Sequence, residues 1–186
     1  MLAVMPARSP DGVLEFWFSD AARPHWFVRS EAFDARVRDV LGPLHTQAAH
    51  GELGSWASDA RGALALVILL DQAPRNLHRG SADAFATDAL ALRHARTAVD
   101  LGLDRELGED ERVFLYLPFE HSESLADQDR CVTLMSSLQN PMWLDYADRH
   151  RQVIARFGRF PHRNAVVGRE STAEELEFLT QPGSSF

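Results

Sequence analysis

The chain contains no lysine: all nineteen of its basic residues are arginine. That absence removes Schiff-base chemistry, a lysine general base and the phosphate-binding loop that ends in Gly-Lys-Ser/Thr. Cysteine is nearly absent too. With Cys131 alone, neither an internal disulfide nor a multi-cysteine zinc site can form, and the residue reads as a small core side chain. The longest apolar run, Ala63 to Leu70, falls far short of the roughly 20 residues a membrane span needs. The N-terminus lacks the basic, apolar and cleavable regions of a secretion signal, so the cytoplasm is the expected location and no membrane partner is expected. No Gly-x-Ser-x-Gly marks a serine hydrolase, and no Gly-x-Gly-x-x-Gly marks a dinucleotide fold.

Acidic residues are in excess, 27 against 19, giving a formal net charge of -8. A nucleic-acid binder needs a basic surface, so no nucleic-acid partner is expected. The charge is unevenly spread, however. From Arg149 through Arg169 there are six arginines and no acid, which leaves 13 arginines against 27 acids in the rest of the chain.

Apolar residues recur at steps of three and four almost throughout, and no useful strand alternation occurs, so the expected class is all-α. A length of 186 residues fits a single domain of antiparallel helix pairs spanning 1–186, with 1–9 and 181–186 fraying. Asp11 is the expected cap of a first helix, with Pro10 outside it. A stripe from Ser30 to His50 should kink or split at Gly42-Pro43. The central helix, apolar on all sides from Gly62, should end near Ala73 because Pro74 restricts its neighbour. A helix capped by Ser81 or Asp83 should stop at Gly102, with Phe85, Leu92 and Val99 on one face. Further helices are expected from Glu109 to about Leu117, stopped by Pro118, and from Ser122 to Gln139. Asn140-Pro141 should open a helix that Gly158 closes. Ser171 and Glu174 should form the capping box of the last one.

Three stretches put polar groups where helices end: "LLDQAPRNLHRG", "LPFEHSE" and "RFGRFPHRNAVVGRE". Guanidinium is the group expected where carboxylate or phosphate is gripped at two points. These arginines have two possible customers, internal carboxylates such as Asp71, Glu120 and Glu123, or an anionic ligand. His121, beside Glu120 and two residues before Glu123, has the surroundings of a tuned acid or base. The same residues with His150 and His162 could furnish a metal site. "EHSE" lacks the spacing of a zincin helix, so no metal is assigned, and no cofactor can be named. His150, on a stripe with Trp143 and Phe157, reads as a hydrogen-bonded core histidine. The rings Phe16, Trp17, Phe18, Trp26 and Phe27 read first as core and second as a groove wall.

With "LEFWF", "ALVILLDQAPRNLHRGSADAFATD", "FLYLPFEHSESLADQ" and "RFGRFPHRNAVVGRESTAEELEFL", the chain resembles the bacterial family catalogued as domain of unknown function 924. The resemblance spans Leu14 to Leu179. It implies an all-α domain related to tetratricopeptide-repeat folds and no established activity. The family's typical polar positions fall on Asp71, Gln72, Arg75, Asn76, Arg79, Glu120, His121, Glu123, Gln128, Arg156, Arg159, His162, Arg163, Asn164 and Arg169. Ala73 stands where the family commonly has a larger apolar or aromatic residue.

Three functions are compatible with these residues. In the first, the three motifs converge on a pocket for a small anionic molecule or an acidic peptide end. Asp71, Gln72, Arg75, Asn76, Arg156, Arg159, His162, Arg163, Asn164 and Arg169 would line it, with the aromatic rings excluding water. The second is a hydrolase in which His121 acts with Glu120 or Glu123 and the arginines stabilise charge. A protein-interaction scaffold, in which the polar motifs only lock the architecture, is the third.

Overall fold

A computed structural model describes residues 7–185, all of whose regular structure is helical. Residues 1–6 and 186, part of the ends expected to fray, lie outside the described residues. The chain divides into two compact units. Unit 1 comprises the chain up to Arg79 together with Asp83–Pro118, and unit 2 comprises Gly80–Ala82 and the chain from Phe119 onward.

Unit 1 begins with α1 (Pro10–Trp17). Its cap is Ser9 rather than Asp11: the Ser9 hydroxyl accepts from the Gly12 amide at 3.2 Å, and Pro10 supplies the preset φ of the first helical position. Asp11 instead accepts from Arg61 at 2.8 Å. Helix α2 (Glu31–Ala49) opens at Ser30 as expected but runs unbroken through Pro43. Pro43 and Asp39, whose carbonyl loses the helical bond, both lie on the exposed face.

The centre of unit 1 is α3 (Ala60–Val67), a π-helical turn (Ile68–Gln72) and α4 (Ala73–Leu77), which follow without a break. Pro74 therefore does not end the helix near Ala73. The wide turn absorbs it: the Ala73 amide reaches back five residues to the Ile68 carbonyl. Side chains take up the carbonyls that follow, His45 Nδ1 donating to Leu69 at 2.9 Å and Thr87 Oγ1 donating to Leu70 at 2.5 Å. Thr87 precedes α5 (Asp88–Asp100), which Gly102 ends at φ 74 as expected. The fully buried positions of α5 are Ala91, Ala95 and Ala98, while Leu92 and Val99 are partly buried, and the helix packs on α3. Helix α2 packs on α4, and α3 packs on α1 and α5. Trp17, Phe33, Leu41, Leu64, Leu66, Leu69 and Phe114 fill this core. Trp17 and Phe114 meet edge to face at 5.7 Å, and Trp26 and Phe18 join Phe114 in the same geometry, while Phe27 stays 59% exposed.

Helix α6 (Glu109–Glu120) carries Pro118 inside it instead of stopping there. Its last turn belongs to unit 2, where Gln128 Nε2 donates to the carbonyls of Glu120 at 2.6 Å and Ser122 at 2.7 Å and so closes the helix end. Helix α7 (Leu125–Met135) is shorter than the expected Ser122 to Gln139, and packs against α8 (Pro141–Phe157). The ends of α8 are as expected: Asn140 accepts from the Met142 amide at 3.0 Å, and Gly158 takes the left-handed conformation at φ 69. The last helix, α9 (Ala173–Leu179), has its capping box at Thr172 and Glu175, one residue later than Ser171 and Glu174. Buried Phe119, Cys131, Met135, Ala147, Val153, Ile154 and Phe160 form the apolar interior of unit 2. Among the described residues no helix is long and apolar enough to cross a membrane.

One glycine is sterically required. A Cβ built on Gly62 would lie 1.9 Å from the Trp56 carbonyl oxygen, a backbone atom that cannot rotate away. Gly62→Ala is expected to destabilise the protein by about 1–3 kcal/mol or more through overpacking, read as a lower urea midpoint.

Candidate functional site

The first motif is committed within unit 1. Asp71 is fully buried on the π turn and accepts from Gln72 Nε2 at 2.6 Å. Arg75 grips Asp88 with two nitrogens, at 2.9 and 3.1 Å, donates to the Asp71 carbonyl and stacks over Phe85. Asn76 and Arg79 both donate to Asp34, at 2.8 Å and at 2.8 and 2.9 Å. Burial pushes the Asp34 carboxyl up, but the bonds from Arg79 and Asn76 outweigh it and leave the pKa below its ordinary value. For these arginines, internal carboxylates are the customers.

The second and third motifs meet within unit 2, through the turn that follows α6. Glu123 receives both terminal nitrogens of Arg169, at 2.7 and 2.9 Å, together with the Phe160 amide at 2.8 Å. Its burial opposes ionisation, yet Arg169 and the Phe160 amide hold its pKa below the usual carboxylate value. Arg163 Nη1 donates to the His121 carbonyl at 3.1 Å, and its guanidinium lies 4.5 Å from the Phe160 ring centre. Phe160 is fully buried and is also flanked by His150 at 5.7 Å and His162 at 5.6 Å between ring centres. The His121 ring stands 6.4 Å from that of His150. Three imidazoles, one guanidinium and one aromatic ring thus form a single cluster on the end of α6, α8 and the 3-10 segment Pro161–Arg163.

His150 is the interior member of this cluster, 4% exposed, and its Nδ1 donates to the Tyr146 carbonyl at 2.8 Å. Burial above all, joined by His121, Arg163 and His162 and opposed by the Tyr146 bond, lowers its pKa to about 3. Glu120, also buried, directs Oε1 toward His150 Nδ1 at 3.5 Å. Beneath it Cys131 is buried, and burial and the Glu120 charge raise its thiol well above the ordinary range, so it is held as the neutral thiol. Among the described residues no group of three His, Cys, Asp or Glu side chains is placed to hold a metal ion.

The remaining residues of the third motif brace the C-terminal segment. Arg159 grips Glu175 at 2.6 and 2.8 Å and donates to the Glu170 carbonyl at 2.9 Å. Asn164, fully buried, donates to Ser171 Oγ at 3.1 Å and Glu175 at 3.3 Å, and the Thr172 amide adds a bond at 2.7 Å. With the Arg159 bond as the largest cause, the Glu175 pKa falls to about 2. Arg156 pairs with Glu174 at 2.8 Å on the surface and stacks over Phe157. Sequence reasoning missed Glu175 because it treated Glu174 as the capping residue, and it missed Asp34 and Asp88 because neither lies in a polar motif.

The model of a family described as bacterial protein of unknown function (DUF924) matches residues 13–183. A solved structure of a protein of unknown function from Agrobacterium tumefaciens is similar at 43% identity, with a TM-score of 0.87, over 91% of this chain and 96% of that one. No curated protein matches.

The carboxylates make stability depend on acid. Glu175 and Glu123 have lower pKa values folded than unfolded, so their contribution is complete above the unfolded carboxylate value near 4.5 and is lost as pH falls below it, toward about 2 for Glu175. Glu175→Gln is expected to remove roughly 1–2 kcal/mol at pH 7, after discounting for solvent, and to flatten the fall in stability between pH 5 and pH 2 in acid unfolding. His150 acts in the same direction at higher pH. It is neutral when folded down to about pH 3 and takes a proton when unfolded, so stability falls as pH drops below the ordinary imidazole value of 6.5. NMR titration should find the His150 ring neutral, with its proton on Nδ1, at pH 5.

Proposed function

We propose that this chain, which belongs to the bacterial family of proteins of unknown function DUF924, binds a small anionic molecule or acidic peptide end at the imidazole and guanidinium cluster of unit 2. The observation that carries this reading is the convergence of His121, His150, His162 and Arg163 on and beside the buried Phe160 ring. His162 and Arg163, adjacent in the chain, lie beside the apolar Phe160 ring, and His121 from a separate stretch lies beside His150; next to buried apolar surface, electrostatic attraction to an anion exceeds its value in water. Around them Arg156, Arg159 and Arg169 are engaged by Glu174, Glu175 and Glu123. These pairs act as the frame of the site, and Asn164 ties the frame to α9. Asp71, Gln72, Arg75 and Asn76 serve the same framing role within unit 1.

Of the two carboxylates considered for a hydrolytic role with His121, Glu123 accepts from Arg169 and from the Phe160 amide, and Glu120 is directed at His150.

Binding is tested by thermal melting with phosphate, sulfate, citrate or acetate against chloride at equal ionic strength. An anion present at 100 times its dissociation constant is expected to stabilise the fold by about 2.7 kcal/mol, a rise of several degrees in Tm. Arg163→Gln should abolish the rise while the circular dichroism spectrum stays helical. A panel in which no anion raises Tm above the chloride control would remove the proposal.

A further inference from the structure

Unit 1 carries an apolar surface that the reading of unit 2 does not use. Between α1 and α2, Phe27 is 59% exposed and its neighbour Val28 is 60% exposed. Adjacent large apolar side chains left in water beside a polar rim are the mark of a contact surface. We propose that this face docks a basic segment of a partner protein, with an arginine or lysine of that segment seated at the start of α6 and one of its apolar side chains on Phe27. The proposal is independent of the anion site.

The patch is continuous with a cleft. Phe27 stacks parallel to buried Phe114 at 5.9 Å between ring centres and meets Trp26 edge to face at 6.5 Å. Trp26 in turn meets Phe18 edge to face at 5.5 Å. Phe18 lines a cleft of about 410 Å³ together with Arg23, Gly108, Glu109, Asp110 and Glu111. Phe114 stands one turn of α6 beyond Asp110, so a single helix holds both the aromatic wall and the acids. All of these residues belong to unit 1.

Charge decides the occupant. Three of the six residues of the cleft are acids and one is a cation. The sequence from Asp100 to Glu111 holds six acids and one arginine. Arg61, which pairs with Asp11 at 2.8 Å and with Glu111 at 3.6 Å, brings a further acid to the same rim. Such a rim attracts a basic partner and repels an acidic one. Acids in the first turn also offset the dipole of α6, but that role does not account for exposed rings beside them. The chain itself displays how a cation sits here. The Arg23 guanidinium lies 5.0 Å from the Trp26 ring centre and 6.0 Å from that of Phe18, and its Nη1 donates to Asp110. The side chains of Arg23 and Asp110 are 42% and 45% exposed, so a second cation can reach the same carboxylate and rings from solvent.

NMR on the full chain tests the proposal. The probe is a twelve-residue peptide of alternating arginine and leucine, with a serine–arginine and a leucine–glutamate peptide of equal length as controls. The arginine–leucine peptide is expected to bind roughly tenfold more tightly than either control, because it alone meets both the rings and the acids. It should shift the amide signals of Arg23, Phe27 and Glu109–Glu111 and the Trp26 indole signal, and its affinity should fall as salt rises from about 0.05 M to about 0.5 M. Phe27→Ser should weaken binding roughly tenfold. Arg23→Gln removes the internal cation and should tighten binding, a change of sign that damage to the fold would not produce. Equal binding by either control, shifts confined to other parts of the chain, or no binding by any of the three peptides would overturn the proposal. An unchanged or weaker affinity in Arg23→Gln would do the same. Should Phe27→Ser unfold, Val28→Ser takes its place, and unchanged affinity in that variant would also overturn the assignment.

Discussion

Guanidinium–carboxylate pairing is the interaction on which the polar architecture depends. The segment from Arg149 to Arg169 contains no acid of its own, and the structure supplies acids from outside it. Arg149 meets Asp145, Arg151 meets Asp129, Arg156 meets Glu174, Arg159 meets Glu175 and Arg169 meets Glu123. Such a segment cannot satisfy itself, so it pulls α7, the turn after α6 and the start of α9 to it. The exposed pairs contribute little stability. Those at Glu123 and Glu175 do more, because each carboxylate also accepts from a backbone amide and each guanidinium binds at two points. Lysine, a point charge without the planar fork, could not hold these geometries.

Pairing on this scale separates framing from function. Inside the outer pairs, the Arg163 guanidinium lies against the Phe160 ring, with the His150 and His162 rings next to it. Burial disfavours the charged form of both kinds of group. It keeps His150 neutral, whereas the network around Glu123 and Glu175 overcomes it and keeps those acids charged. A low-dielectric interior with fixed anions at its edge and a neutral imidazole within it is the electrostatic outcome.

The all-α class and the helix ends governed by local chemistry were legible in the sequence. Asn140-Pro141, Gly158, Gly102 and Ser30 act through backbone conformations and caps within a few residues. The prolines were misleading because a helix can pass through one where the freed carbonyl is reached in another way. Pro43 lies on the exposed face of its helix, and around Pro74 the task falls to side chains from elsewhere, His45 and Thr87. A proline rule that counts only neighbours cannot see those donors. The meeting of the second and third motifs follows the same division. Their polar character stands out in the sequence, but the 46-residue separation of Glu123 and Arg169 leaves no local trace of which acid an arginine finds.

The π turn between α3 and α4 has a bearing on how this helix came to be and how it could be rebuilt. A turn closed over five residues instead of four carries one residue more than a regular helix of equal rise. Removing a residue from Ile68–Gln72 would tighten it to the regular form and, because the wide turn holds the extra residue, leave the helix on either side at nearly its present azimuth. Arg75, Asn76 and Arg79 would then still face Asp88 and Asp34. The extra residue is thus a local insertion whose strain is taken up where side chains from other helices reach the loosened carbonyls.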